Sequence, residues 1–403
     1  MEKNNKVDNF VWLLTCLMFA CFSISTTNSN WSSLSLAIIT ALVLVTNMCR
    51  RGLNGIRLDT FHYSIFVFAM YCFISSLWAI NPSDAIEKGI TITEILLSFS
   101  VFYWTYTTMP NAFVNLLKAI MWGGYIVVAF AFATDGINGV IMTVMTGGRL
   151  ESSFDNVNAV ALLCAFSIIL SIYFILDKKS LLLLIMDLPT IVLLAACGSR
   201  KAMVILVLGS LAVYLFKSNA QNKAQVILRI ITTFIFLIIT LFVVMQMEIF
   251  AGLNQRMEGL IALLTGVGDI DHSAMVRQEM SELGYKIFFE HPIGGIGAGN
   301  AHIIDAKVLG EDCYLHNNYA EVLANGGIIG FFLYYRLYYR VFLRTKRQGG
   351  LGTPEGRIVL ILLVSILLAD FGLVSYYSKI YYFFLLTFNI YLYHNKNQQR
   401  ALI

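Results

Sequence analysis

AGLNQRMEGLIALLTGVGDIDHSAMVRQEMSELGYKIFFEHPIGGIGAGNAHIIDAKVLGEDCYLH, from Ala251 to His316, is the one long polar stretch in a chain that otherwise runs through membrane-length apolar segments. Asn317-Asn318-Tyr319 follow, and there the apolar character resumes. Most connections between helices need only a few residues. A polar loop of this length serves more than joining two helices, and the chemistry is to be sought in and around it.

The rest of the chain sets the fold. Hydrophobic residues make up 58% of it and charged residues only 13%, with a mean hydropathy of +0.72. A soluble globule carries nearly twice that charged fraction, so the composition is that of a polytopic membrane protein. Apolar runs of about 17 to 25 residues cross the hydrocarbon as helices. Twelve such runs are read near 10–27, 33–49, 62–80, 90–109, 113–134, 157–176, 180–197, 202–216, 226–247, 319–342, 358–376 and 378–393. The expected fold is therefore an all-α integral membrane protein of about twelve transmembrane helices. It forms a single polytopic domain over 1–403, and its sizeable extramembrane part is the loop 251–316 before helix ten. Asp187 and Pro189 interrupt the seventh run and the eighth is short, with Gly198-Ser199-Arg200-Lys201 reading as a tight turn between them.

Charge gives the orientation. With the N-terminus in the cytoplasm, Lys3, Lys6, Arg50, Arg51, Arg57, Lys178, Lys179, Lys217, Lys223, Arg344, Lys346, Arg347, Arg357, Lys396 and Arg400 lie inside. The short outer loops then hold only Lys88, Arg149, Arg200, Lys201 and Lys379. Cytoplasmic loops of membrane proteins are enriched in Lys and Arg, so both termini are expected inside and the long loop, with His316, outside. The net charge of +4 reports this topology and not a nucleic-acid partner. The first apolar run lacks a small-residue cleavage pattern and reads as a retained helix. Six of the seven cysteines fall in or at the ends of predicted helices, which leaves Cys313 alone in the loop; no disulfide framework or zinc spacing follows.

Within the loop, Ser273 to Glu290 has helical periodicity. Met280, Leu283 and Ile287 share one face, Arg277, Gln278 and Glu282 are free to meet water, and Pro292 ends the helix. Gly294-Gly295-Ile296-Gly297-Ala298-Gly299-Asn300 is a glycine-rich turn, able to bend sharply or to approach a ligand closely.

His316, at the outer boundary, is placed to take a proton from a substrate hydroxyl near neutral pH, or to serve as an interfacial histidine bonded to nearby backbone. Arg200 lies where a topological charge is not expected. Its planar fork suits a pair of phosphate oxygens, and lipid headgroups are the alternative partner. Arg277 shares the loop with Arg256, Lys286 and Lys307, and a solvated helix face explains it as readily; Arg149 in Gly147-Gly148-Arg149-Leu150 is a further candidate anion contact. His272, His291 and His302, with Asp269, Asp271 and Glu290, match no metal-ligand spacing. Asp370 and Arg336 are intramembrane charges, either functional or a structural pair.

These features together resemble the bacterial O-antigen ligase and oligosaccharide repeat-unit polymerase superfamily. The resemblance rests on the Gly-Ser-Arg-Lys turn at 198–201, the long outer loop, His-Pro-Ile-Gly-Gly-Ile-Gly-Ala-Gly-Asn at 291–300 and His-Asn-Asn-Tyr-Ala-Glu at 316–321. Gly148 to Asn158 is similar to that family's approach to helix six, so the motifs cover roughly 148–330. The resemblance implies a membrane-embedded fold of the GT-C type and an inverting, metal-independent glycosyl transfer without a cofactor on the outer face of the bacterial cytoplasmic membrane. The implied donor is an oligosaccharide on undecaprenyl diphosphate, and the acceptor a lipid-linked glycan or lipid A core. A chain-length regulator is a further implied partner. Arg200 and Arg277 match the family's diphosphate-binding arginines and His316 its catalytic histidine. Lys201, Arg149, Asn317, Tyr319 and Glu321 are supporting candidates, and Arg256 competes with Arg277. Polymerase is the expected activity, ligase the alternative, and a lipid-linked sugar transporter the alternative of another class.

Overall fold

The computed structural model describes residues 2–24, 29–52, 54–56, 58–150, 154, 156–217, 231 and 272–401. Every α-helix and 3-10 turn assigned there is helical structure, and no strand occurs among the described residues. The helices are α1 (Glu2–Ile24), α2 (Ser29–Arg51), α3 (Thr60–Ser75), α4 (Pro82–Thr107), α5 (Ala112–Thr134), α6 (Ile137–Met145), α7 (Val157–Ile175), α8 (Leu181–Cys197) and α9 (Arg200–Lys217). After them come α10 (His272–Glu290), α11 (Ala301–Val308), α12 (Asn318–Arg347), α13 (Pro354–Ala369) and α14 (Lys379–Ala401). Each apolar run read from the sequence carries one of these helices except 226–247, which apart from 231 lies outside the described residues, as do 251–271 of the long loop. The short helices α6 and α11 had no counterpart in the apolar pattern.

Among the described residues, four helical segments, Lys6–Ile24, Trp31–Arg50, Ala112–Thr134 and Val157–Ile175, are long and apolar enough to cross a membrane; Thr60–Ser75 and Leu181–Cys197 are shorter apolar helices. This is the architecture of a multi-pass membrane protein. Among the described residues, α7 and α14 are central to the bundle. Along α7, Val160 to Leu170 is buried without a break, and along α14 the same holds from Tyr381 to Leu392. A helix apolar all round must be surrounded. α14 packs against α1, α4, α5 and α12, with Phe19–Phe383 and Phe166–Phe384 ring centroids 5.0 and 4.8 Å apart. The periphery is apolar too: Leu34, Ile38, Leu42 and Val45 on α2 and Leu181, Leu184, Leu188 and Ile191 on α8 are exposed. Because lipid tails match such side chains in polarity, the contacts between helices rest on close packing and hydrogen bonds.

Asp187 shows how α8 tolerates its interruptions. Its carboxylate accepts from Tyr125 Oη at 2.8 Å and Ser171 Oγ at 2.7 Å, tying α8 to α5 and α7, and α8 runs through Pro189 as one helix. Asp370 and Arg336 do not pair: Asp370 accepts from Tyr335 Oη at 2.9 Å, whereas the Arg336 guanidinium lies over the Tyr63 ring, 5.7 Å from its centroid.

One end of the bundle is shaped by a break in α12. Gly327 has φ 55° and ψ −161°, open to glycine alone among common residues, and the helix kinks there. The opened turn receives the glycine-rich loop: Ile328 N donates to Pro292 O at 2.9 Å, Ile296 N to Ala324 O at 3.0 Å and Gly297 N to Asn325 O at 3.0 Å. A Cβ on Gly295 would come within 2.4 Å of the Asn325 carbonyl carbon. The close backbone approach permitted by these glycines is thus made to α12, not to a ligand.

Candidate functional site

The site is assembled from four separate parts of the chain. α8 ends at Gly198 in the left-handed conformation (φ 60°), the usual way for a glycine to close a helix, and the chain turns straight into α9 at Arg200. This puts Arg200 and Lys201 in the first turn of α9. Cations there oppose the helix dipole, so the turn favours an anion beside them. The Lys201 ammonium crosses to the end of α13 and donates to Phe371 O at 2.7 Å. Gly372 leaves it room, since a Cβ there would fall 1.8 Å from Nζ. Just outside the 202–216 run, Lys201 is pushed down to about 8 by lost hydration, and then by Arg277 and Arg200.

Arg149 comes from the α6–α7 connection, which docks on α8 through Leu150 N donating to Ala196 O at 3.1 Å. Arg277 comes from α10. Met280, Leu283 and Ile287 of that helix are buried with Ile296, Ala301, Leu315 and Ala324. A Cβ on Gly284 would lie 2.6 Å from Leu315 Cδ1, so α10 sits hard against the segment that carries His316. Arg277 is half-buried, while Gln278 and Glu282 of the same helix face water.

His316 stands where these parts meet. Its φ of 52° is left-handed, uncommon for a residue with a Cβ. The ring packs on Tyr314 with centroids 4.4 Å apart, and Nδ1 is buried with no hydrogen-bond partner among the described residues. Burial, then Arg277, Lys201 and Arg149, depress its pKa to about 4. Those three cations therefore all bear electrostatically on one neutral imidazole, and Arg200 and Arg277 both act on Lys201. A neutral base beside several cations can bind a polyanion and take a proton from a hydroxyl near it.

The remaining candidates form the frame. Asn317 caps α12, its Oδ1 accepting from Tyr319 N at 3.0 Å and Ala320 N at 3.3 Å. Tyr319 donates to Leu367 O at 2.8 Å and stacks on Tyr335. Glu321 is buried and accepts from Leu315 N at 2.9 Å. His302 sits between Asp84 Oδ2 at 3.2 Å and Asp312 Oδ1 at 2.7 Å, which raise its pKa against the effect of burial. His291 lines an open cleft of about 450 Å³ with Tyr71, Trp78 and Ile329. Arg256, Asp269 and Asp271 lie outside the described residues. Among the described residues, no three His, Cys, Asp or Glu side chains are grouped to hold a metal ion.

Sequence reasoning missed Asn156, Tyr314, Asn318 and Asn325. Asn156 caps α7 through Ala159 N at 3.1 Å and donates to Tyr314 Oη at 2.9 Å, under the His316 ring. Asn318 Oδ1 accepts from Ser375 N at 2.8 Å and Tyr376 N at 3.1 Å, fastening the start of α12 to the α13–α14 connection. The density of asparagines around the motifs was their one signal.

Fold and site together define a helical membrane protein with a cationic site gathered around a histidine. Residues 181–335, from the start of α8 into α12, match the family model described as O-antigen ligase. The match supports a function related to glycosyl transfer. No curated protein matches the chain.

Proposed function

We propose that the protein is a glycosyltransferase of the bacterial cytoplasmic membrane that polymerises undecaprenyl-diphosphate-linked oligosaccharide repeat units on the outer face. In this reading twelve transmembrane helices form a fold of the GT-C type, with both termini cytoplasmic. What supports it most is that Arg277, Lys201 and Arg149 all bear electrostatically on the neutral His316, with Arg200 next to Lys201 in the chain.

The chemistry follows from those groups. The acceptor hydroxyl attacks C1 of the donor sugar, the bond from C1 to the diphosphate oxygen breaks, and the configuration inverts. Undecaprenyl diphosphate leaves with the electron pair, and His316 takes the hydroxyl proton, a role that typically contributes about 10² to 10⁴-fold. Arg200 and Arg277 bind the diphosphate and stabilise the growing charge, with Lys201 and Arg149 in support. No metal or cofactor is required by this scheme.

The ligase reading, transfer of a finished chain to lipid A core, is favoured by the description of the matched family model and shares the donor and the site. Purified protein given undecaprenyl-diphosphate repeat units alone should yield a ladder on a gel. Transfer only after lipid A core is added would make it a ligase. His316→Ala and Arg200→Ala should insert normally and make no long chain; normal chains from either variant would refute the site.

A further inference from the structure

His316 holds an unfavourable backbone conformation, and the residues on either side of it show what enforces it. On the C-terminal side Asn317 caps α12, and Asn318 N donates to Asp370 O at 2.7 Å. On the N-terminal side Leu315, fully buried, donates its amide to Glu321 Oε2 at 2.9 Å. Glu321 does not stand alone. Its Oε1 accepts from Asn325 Nδ2 at 2.8 Å, one helical turn on, and Asn325 Oδ1 accepts from both Asn300 N and Ala301 N at 2.8 Å. Asn300 in turn holds the α3–α4 connection, Asn81 N donating to its Oδ1 at 2.5 Å. Glu321, Asn325 and Asn300 are 3%, 2% and 0% exposed, so water does not substitute for these bonds.

We propose that Glu321 and Asn325 are the positioning residues of His316. They form a relay that transmits the location of the glycine-rich loop, through the Leu315 amide, to the imidazole. The proposal rests on the reading of His316 as the base. It explains why the 291–300 and 316–325 segments act as one unit: the loop supplies two backbone donors that fix Asn325, Asn325 fixes Glu321, and Glu321 fixes the residue before the histidine. A carboxylate accepts only and an amide has one accepting and one donating end, so the order acid-then-amide along the helix is dictated by the donors at each end of the relay.

That polarity provides the test. In E321Q the introduced amide must face either the Asn325 NH₂ or the Leu315 N–H with its own NH₂, and a buried donor is left unpaired. In N325D two carboxylates face each other. In the double variant E321Q/N325D every bond is available again: the introduced amide donates to the introduced carboxylate and accepts from Leu315 N–H, and the second carboxylate oxygen keeps Asn300 N and Ala301 N. Misplacement of a reacting group by about 1 Å can cost about 10²-fold in rate. At matched amounts of folded full-length protein, each single variant should lose about 10- to 100-fold in kcat with donor KM within about twofold, and the double variant should return to within about threefold of the parent.

Histidine-labelled protein supplies a readout that needs no turnover. The His316 resonance, identified among the six histidines by its absence in H316A, should move in each single variant and return in the double. A double variant as impaired as the singles, a His316 resonance unmoved in both singles, or a loss confined to donor KM overturns the relay. An active H316A, by contrast, would refute the base reading while the resonance still decides the relay.

Discussion

The depressed pKa of His316 has a measurable consequence for catalysis. At pH 5.5 a histidine titrating at the ordinary 6.5 is only about 9% neutral, whereas one held at about 4 is about 97% neutral. If the neutral imidazole takes the acceptor's proton, kcat/KM should change by less than about 10% between pH 7.5 and 5.5, where an ordinary histidine would lose about tenfold. Arg277→Gln removes the largest electrostatic contribution, so the midpoint should rise toward 6.5 and acid sensitivity should appear. Burial remains, so the rise is partial. A bound donor brings diphosphate charge that offsets the cations; the midpoint in kcat, which reports the complex, should therefore lie above that in kcat/KM, which reports the free protein. Stability follows the same linkage. The folded pKa lies below the unfolded one, so the unfolded chain binds the proton first as pH falls. The contribution of His316 to stability is intact above about 6.5 and is lost progressively between there and about 4. The assay is a pH series of initial rates with a histidine NMR titration of the parent and R277Q. A parent midpoint near 6.5, or an R277Q midpoint equal to the parent's, would refute the reasoning.

Other expectations concern single contacts. Gly372→Ala places a methyl 1.8 Å from Lys201 Nζ and should drive the ammonium off Phe371 O; donor KM should rise as in Lys201→Met, and an unchanged KM in both would remove Lys201 from the site. Gly327→Ala meets Ile293 O at 2.4 Å in a conformation that costs about 1–3 kcal/mol for other residues, and it also threatens the Ile328–Pro292 bond. Its unfolding midpoint in detergent should fall clearly, while Gly139→Ala, in α6 with nothing within 4 Å, should be neutral or stabilising by up to about 1 kcal/mol. Asp187→Ala strands the Tyr125 and Ser171 hydroxyls at about 1–3 kcal/mol each, a loss that adding Tyr125→Phe and Ser171→Ala should largely relieve in the same melting experiment.

The segments that become helices were legible because the signal is local. An apolar run of membrane length can satisfy its backbone in lipid only as a helix, and the 273–290 periodicity marks its apolar face through Met280, Leu283 and Ile287. The sequence alone likewise nominated Arg200, Arg277 and His316, by motif and by position relative to the runs. Periodicity places a residue on a face of its own helix, however, and is silent on what that face meets. Only the tertiary structure decided that Arg149, Lys201 and Arg277 act on His316, and that Arg277 is half-buried instead of solvated. Likewise, only the fold showed that the 294–300 glycines bring backbone to α12. The last of these depends on the Gly327 kink, and the frame around His316 on hydrogen bonds between segments far apart in the chain, such as Asn300 N to Asn325 Oδ1 and Asn156 Nδ2 to Tyr314 Oη. The partners of an asparagine side chain are set by geometry and not by its neighbours in sequence.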